Sequence, residues 1–266
     1  MTRRISVPML SFFLVLSLGV PLIAQDSETI YTRVGYWEVP RTKWKAFGEF
    51  FEKFEKPVLD KALSEGLIEE YGIDAISLHD PDGYTHTTWF AASTMAGLEK
   101  VLDAFEAAAE ARSTSGDNVN DQFAGMVTKH RDSIFRSIFH EAKPANLDDG
   151  YFFSMMYRVK PGKGRDYNKA WEAYVKPVYE QLLADGTIVA YGLDTELIHT
   201  TKPGGRAGWY IISNMEADEK VEAAFDASWE KMSETERDAR QALFRGLTEE
   251  GAHRDDMTRI IHYSHK

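Results

Sequence analysis

Two histidines at equivalent places in a repeated pattern, His79 and His199, have the type and position to do chemistry. Each ends a run of alternating residues that predicts a β-strand, and each stands close to a predicted turn. An imidazole titrates near neutral pH and can also hold iron, so either side chain could act as an acid, a base or a haem ligand. A hydrogen-bonded histidine at a strand end, with no chemical role, is the alternative interpretation.

Aromatic and hydroxyl side chains on nearby strand positions complete a candidate site. Tyr71 and Tyr191 share the predicted strand face of the two histidines. Trp89 and Trp209 could form the floor of an aromatic pocket, although tryptophan on a central strand is also typical of a core. The predicted ligand-binding residues are Tyr71, Ser77, His79, Trp89, Tyr191, His199 and Trp209.

Differences between the two copies of the pattern favour the first copy as the site of any chemistry. The first copy has Ser77 and His86 where the second has Leu197 and Arg206. Two imidazoles and a hydroxyl exchange protons near neutral pH more readily than one imidazole beside a leucine. His79 and His86 are therefore the candidates for a catalytic role.

A His-Arg-Asp triplet also occurs twice in the chain. Arginine offers paired N–H donors that suit a carboxylate or phosphate, so the triplets predict an anion site. An arginine next to an aspartate is equally typical of a structural ion pair. The candidate anion-binding residues are His130, Arg131, His253 and Arg254.

Other kinds of chemistry find little support in the sequence. His262 and His265 have a spacing of three, but no third ligand lies near them in the sequence, so we predict no metal site. The chain has no cysteine, which excludes disulfides, thiolate nucleophiles and iron–sulfur clusters. It also lacks the G-x-S-x-G nucleophile motif and a phosphate-binding loop. The residues alone predict no cofactor.

The elements that must position these residues are given by an internal repeat. Residues 56–79 return as residues 176–199, displaced by 120 positions without a gap. Aromatic residues and glycines match in register, which indicates a tandem duplication. The matched pairs include Tyr31/Tyr151, Lys56/Lys176, Gly66/Gly186, Tyr71/Tyr191, Gly72/Gly192, Asp74/Asp194, Trp89/Trp209 and Phe105/Phe225.

Each copy predicts the order β-α-β-β-α-β, which is the ferredoxin-like unit of an α+β protein. We place the first unit at residues 28–143, a linker at 144–149 and the second unit at 150–266. A four-stranded sheet with both helices on one side leaves its other face uncovered. The two units should therefore pack sheet to sheet and form one barrel with the helices outside.

This arrangement resembles the dimeric α+β barrel superfamily, which includes antibiotic-biosynthesis monooxygenases, haem-degrading monooxygenases and chlorite dismutase. The resemblance covers Tyr31 to the C-terminus and depends on element order and duplication, with no catalytic motif. It implies a pocket between sheet and helices in each unit. It also leaves haem open as a cofactor, although it fixes no chemistry, because a fold does not determine function.

The first 25 residues have the composition of a secretory signal peptide. Arg3 and Arg4 precede an apolar run from Met9 to Val20, and Ala24 offers a small residue for cleavage. We therefore predict a signal peptide at residues 1–25 and an exported protein, periplasmic or secreted. An uncleaved anchor is the alternative, and the sequence leaves open whether export uses the general or the twin-arginine route.

Cleavage would leave 29 basic and 42 acidic residues, a net charge of −13. Nucleic acids and anionic membranes attract basic surfaces, so neither is an expected partner. We expect the protein to bind a small apolar or aromatic molecule in a sheet–helix pocket. The alternatives are a cofactor-independent or haem-dependent monooxygenase-like enzyme, and a non-catalytic interaction or stability module. Homo-oligomer formation stays open.

Overall fold

A computed structural model of the chain describes residues 29–78, 83–114, 118–198 and 204–266. The predicted signal peptide and both strand-end histidines, His79 and His199, lie outside the described residues. The first unit contains β1 (Tyr31–Glu38), α1 (Trp44–Phe50), α2 (Lys56–Ser64), β2 (Glu70–Ile76), β3 (His86–Ala92), α3 (Met95–Ser113), α4 (Val119–Ala124) and β4 (Lys129–Ala142). A 3-10 turn (Arg41–Lys43) precedes α1, and a π-helical turn (Phe51–Glu55) joins α1 to α2.

The second unit repeats this order. It contains β6 (Tyr151–Val159), α5 (Gly164–Tyr174), α6 (Lys176–Asp185), β7 (Ala190–Ile198), β8 (Gly205–Ile212), α7 (Met215–Glu230), α8 (Glu234–Leu247) and β9 (Thr248–His265). A short strand, β5 (Ala145–Leu147), lies between the units and pairs with the end of β9. The sequence predicted only a linker there, because three residues are too few to show a strand periodicity.

The strands form one closed antiparallel barrel. Eight of them follow the order β2-β3-β1-β4-β7-β8-β6-β9, and β9 pairs back to β2. Two seams join the units, β4 with β7 and β9 with β2, and they are pseudo-symmetric. Ala142 pairs with Ala190 at one seam, and His265 pairs with Glu70 at the other. The predicted α+β class and the sheet-to-sheet barrel are confirmed.

Local sequence explains the helices that cover the barrel. Pro57 and Pro177 stand in the first turn of α2 and α6, where a missing N–H costs nothing. Gly66 and Gly186 follow these helices with φ of 72° and 82°, a left-handed conformation that suits glycine and turns the chain into the next strand. Strands β2 and β7 are buried for most of their length, because helices cover one face of each strand and the other face points into the barrel.

The barrel interior holds two matching tryptophans. The indoles of Trp89 and Trp209 lie directly over Gly72 and Gly192, where a Cβ atom would come within 2.7 and 2.5 Å of ring carbons. Each indole Nε1 donates a hydrogen bond to a buried aspartate, Asp74 at 2.9 Å and Asp194 at 2.8 Å. This pairing explains why glycine, tryptophan and aspartate match in register between the copies. Among the described helices, none is both long and apolar enough to span a membrane.

Candidate functional site

A cavity of about 900 Å³ lies between the sheet and the helices of the first unit. Its floor comes from β1 and β3, and its walls come from α1, the π-helical turn, α2, α3 and α4. Six aromatic side chains border it: Trp37, Phe50, Phe54, Phe90, Phe105 and Phe123. A space of this size and composition is typical of sites for small apolar molecules.

The π-helical turn positions one wall of the cavity. Its extra residue per turn brings Phe54 and the neighbouring Glu55 to the cavity, between Phe50 in α1 and Leu59 in α2. Phe50 and Phe54 pack against each other at 4.8 Å between ring centroids. At the mouth, the Arg112 guanidinium lies 4.3 Å from the Phe54 ring, a cation–π geometry.

Five charged residues border this aromatic space: Arg33, Glu55, Glu106, Glu110 and Arg112. Two of them, Glu55 and Arg33, interact with each other. Glu55 is partly exposed to the cavity, yet protein surrounds it, and the loss of hydration raises the pKa of its carboxyl to about 7. Arg33 lowers this pKa by its charge, but less than burial raises it. Asp132 holds Arg33 in place through a hydrogen bond of 2.7 Å to Nη2. Glu55 can therefore donate or accept a proton near neutral pH.

Side chains fill most of the equivalent space in the second unit, and a shallow pocket of about 410 Å³ remains beside Trp229 and Phe244. Tyr179 stands where the first unit has Leu59, and it is 1% exposed. Its ring packs against Tyr191, Tyr210 and Phe225 at centroid distances of 5.4, 5.6 and 5.2 Å. Two charged residues of the first cavity are also missing, because Val175 and Phe153 occupy the positions of Glu55 and Arg33.

The predicted site residue Tyr71 lies under the helices but does not border the cavity. Its hydroxyl donates a short hydrogen bond to Asp60 and lies 3.1 Å from Nε2 of His262. Nδ1 of His262 in turn lies 2.8 Å from Asp148. Burial, followed by the bond to Asp60, raises the pKa of Tyr71. Its counterpart, Tyr191, belongs to the filled core of the second unit.

The predicted residues His86 and Ser77 lie in different surroundings. Ser77 is exposed, whereas His86 is 1% exposed and packs against Trp44 and Phe47 at 5.0 and 4.9 Å. Burial and, less strongly, the charge of Arg41 lower the pKa of His86 to about 4, so its imidazole is neutral at pH 7. The second predicted histidine, His79, lies outside the described residues.

The sheet separates the predicted tryptophans from the predicted tyrosines. Trp89 borders the floor of the cavity, but its indole extends into the barrel, where it meets Tyr263 at 5.6 Å. Trp209 also points into the barrel and stacks on Phe152 at 5.7 Å. Neighbouring strand residues face opposite sides of a sheet, so one pocket cannot contain both sets.

The same alternation splits the predicted anion site. His130 stacks on Trp37 under the helices, while Arg131 points to the barrel interior, 4.3 Å from the ring of Tyr36. In the second unit, His253 stacks on Tyr157, while Arg254 forms an ion pair of 2.8 Å with Asp256. The four predicted residues do not converge on one anion.

Comparisons with solved structures agree with this geometry. A proposed monooxygenase from Lactobacillus acidophilus is 11% identical, with a TM-score of 0.60 over 90% of this chain and 97% of that one. Another from Fusobacterium nucleatum is 8% identical, with a TM-score of 0.63 over 90% and 96%. No protein-family model matches the sequence, and no curated protein matches it. The chain has the dimeric α+β barrel fold.

In this dimeric α+β barrel, the residues of the cavity do not fit haem. Haem iron is held in proteins by His, Cys, Met or Tyr. No residue of these four types is among those that border the cavity in the described part of the chain. The residues that border the cavity therefore offer no ligand for haem iron.

Sequence reasoning missed Glu55 and Arg33, two charged residues that border the cavity of this dimeric α+β barrel. Glu55 follows Phe51 by four residues, so it falls on the apolar face of its helix, where an acid is unusual. The difference between the two copies is the signal that identifies both residues, because Glu55 in the π-helical turn and Arg33 in β1 are charged where Val175 and Phe153 are apolar. The differences that the sequence analysis used, Ser77 against Leu197 and His86 against Arg206, do not involve residues that border the cavity.

Proposed function

We propose that this protein binds a small, mostly apolar or aromatic molecule in the cavity of the first unit. The observation that carries the proposal is the contrast between two copies of one scaffold: a 900 Å³ aromatic space in the first, and a core filled by Tyr179 in the second. The cavity lies within the ~300–1,000 Å³ range of small-molecule sites. The function of the first unit therefore differs from that of the second.

The charged pair indicates the polar part of the ligand. Burial raises the pKa of Glu55 to about 7, and Arg33 is already held by Asp132. A ligand with an aromatic ring system and one hydroxyl or carbonyl group would fill the apolar space and reach this pair. A highly charged ligand would lose its hydration without enough partners.

Filling the cavity as the second unit does tests the proposal. N-phenyl-1-naphthylamine, a neutral aromatic dye, should bind the native chain saturably, and Leu59→Tyr should weaken its binding by about tenfold or more because the new ring occupies the space. Leu243→Tyr provides the matched control, since this leucine is 39% exposed. Equal binding by native protein and Leu59→Tyr, or no saturable binding, would overturn the proposal and favour a module without a ligand.

A second candidate function is cofactor-independent oxidation, and Glu55 is the observation that favours it. An ionised Glu55 would take a proton from an O–H of a bound quinol, and the resulting anion would pass two electrons to O₂. With the two protons of the quinol, the O₂ leaves as H₂O₂ and the quinol as the quinone. Oxygen consumption with a panel of quinols and phenols measures this activity. Glu55→Gln should reduce it by about a hundredfold or more, the usual effect of removing a general base, while dye binding persists.

Residues 1–25 direct export under the same proposal, since their charge and apolar run suit a signal peptide. Mass spectrometry of the mature protein from a bacterial host should find an N-terminus near Ala24 in the exported fraction. An intact N-terminus in the cytoplasmic fraction would contradict export.

A further inference from the structure

Three side chains from three strands meet inside one end of the barrel. Glu70 comes from β2, His140 from β4 and His265 from β9. Their candidate ligand atoms all lie within 4.8 Å of one another. Glu70 is 2% exposed, and the His140 ring lies 5.4 Å from the barrel-interior ring of Trp209. The group lies on the barrel side of the sheet, and none of its members borders the cavity of the first unit.

Hydrogen bonding leaves this group unsatisfied. Neither ring nitrogen of His140 has a hydrogen-bond partner among the described residues, and Nδ1 of His265 has none there either. The separation between His140 Nε2 and Glu70 Oε1 is 3.6 Å, too long for a hydrogen bond. Buried polar atoms are nearly always paired, so several unpaired donors and acceptors facing one another need an explanation.

The duplicated scaffold shows that the fold does not require these side chains. The seam pair Glu70 and His265 corresponds to the seam pair Ala190 and Ala142, in the same register. Both alanines pack in the apolar core of the barrel. One copy of the seam therefore uses alanine at both positions, and only the other carries a carboxylate opposite an imidazole.

We propose that Glu70, His140 and His265 bind a divalent transition-metal ion. Two imidazoles and one carboxylate suit borderline ions such as Zn²⁺ or Fe²⁺ and leave further coordination positions open. Ligand atoms ~2.1 Å from a tetrahedral ion lie about 3.4 Å apart, so the side chains need to contract only modestly.

Tyr263 supports this assignment from the neighbouring position. Its hydroxyl donates a hydrogen bond of 2.8 Å to Oε2 of Glu70, which leaves Oε1 directed toward the histidines. Hydrogen bonds of this kind orient metal ligands in proteins. The metal would connect β2 and β4 of the first unit with β9 of the second. Bound ion should therefore stabilise the closed barrel.

The test uses the full chain, stripped with a chelator and then titrated with ZnCl₂. We expect one tightly bound zinc per chain by elemental analysis, and a thermal midpoint that rises with zinc concentration. The double variant Glu70→Ala/His265→Ala copies the alanine pair of the other seam and should lose both effects. The control His253→Ala/Asp255→Ala removes a half-exposed pair with a 2.7 Å separation and should retain them.

Absence of bound zinc in the native chain, or zinc that persists in the Glu70→Ala/His265→Ala variant, would overturn the proposal. Should that variant fail to fold, Co²⁺ bound to the native chain decides the matter. Visible absorption and X-ray absorption spectra should show two imidazoles in the coordination shell, and a shell without imidazole contradicts the site. Leu59→Tyr should bind zinc as the native chain does, so failure of the cavity proposal and failure of the metal proposal are distinguishable.

Discussion

Glu55 is an acid placed among aromatic rings, and its environment sets a pH dependence of stability. Burial raises its pKa from 4.5 to about 7, so folding favours the protonated form. Its contribution to stability is complete below pH 4.5 and is lost as the pH rises to 7. Glu55→Gln, which stays neutral, should exceed the native protein in free energy of unfolding by about 2 kcal/mol at pH 8, after allowance for partial exposure.

Urea unfolding at pH 4.5 and pH 8 measures this difference, which should vanish at the lower pH. A difference that is the same at both values would show that the carboxylate stays ionised in the fold, held by Arg33. That result would also remove the support for Glu55 as a base near neutral pH.

His86 should produce the opposite slope. Burial lowers its pKa from 6.5 to about 4, so the unfolded chain takes up a proton before the folded one. Its contribution to stability is present above pH 6.5 and is lost as the pH falls to 4. Between pH 7 and 5 the loss should be about 2 kcal/mol, and His86→Gln should lack it. Urea unfolding of the native protein and of His86→Gln at several pH values measures this loss. If the free energy of unfolding changed equally with pH in the two proteins, the expectation would be wrong.

At the scale of elements, the close contact between strand and tryptophan makes a sharp prediction. A Cβ atom on Gly72 would lie 2.7 Å from ring carbons of Trp89, and both are fixed in the barrel. Gly72→Ala should therefore lower the free energy of unfolding by about 1–3 kcal/mol, because the core cannot expand without strain.

Gly48→Ala is the matched control for this substitution. A Cβ atom added to Gly48 on α1 would meet nothing within 4 Å, so alanine should raise the free energy of unfolding by about 0.5–1 kcal/mol. Urea unfolding of both variants provides the measurement. Equal effects on the two glycines would mean that the indole of Trp89 can move aside.

The elements themselves were largely predictable from the sequence, because apolar periodicity repeats with the 120-residue shift. The lengths of the last strands were not. Strand β9 runs from Thr248 to His265, and only its second half has the apolar residues that indicate a strand in the sequence. Its first half is polar and carries the second His-Arg-Asp triplet, so it lacks the apolar alternation that marks a strand. This half of β9 is a strand because it pairs with β6, although its own sequence does not predict one.

The candidate site was less predictable than the fold. The side of the sheet on which a residue lies decides its neighbours, and this requires the register of every strand. The sequence grouped Tyr71 and Trp89 in one ligand-binding set, whereas Tyr71 packs under the helices and the Trp89 indole packs inside the barrel. The cluster of Glu70, His140 and His265 was missed for a similar reason, since its members come from strands that meet only when the barrel closes.

At the scale of the whole molecule, closure by two equivalent seams predicts how one unit behaves alone. Residues 28–143 would expose both β2 and β4, which lose their partners β9 and β7. Because the seams are pseudo-symmetric, two copies of the first unit can pair β2 with β4 reciprocally. We expect residues 28–143 to form a homodimer, which light scattering would show by its molar mass. The circular dichroism spectrum of this dimer should be that of an α+β protein. A folded monomer would contradict the dependence of each sheet on its partner.

The seam between β2 and β9 also constrains synthesis. Glu70 and His265 pair across 195 positions of the chain. At ~5–20 residues per second, a ribosome needs about 10 to 40 s to make β9 after β2 has appeared. During that interval the nascent chain carries an unpaired strand edge that invites aggregation. We therefore expect the unfinished chain to aggregate more readily than the complete one until its last strand is made.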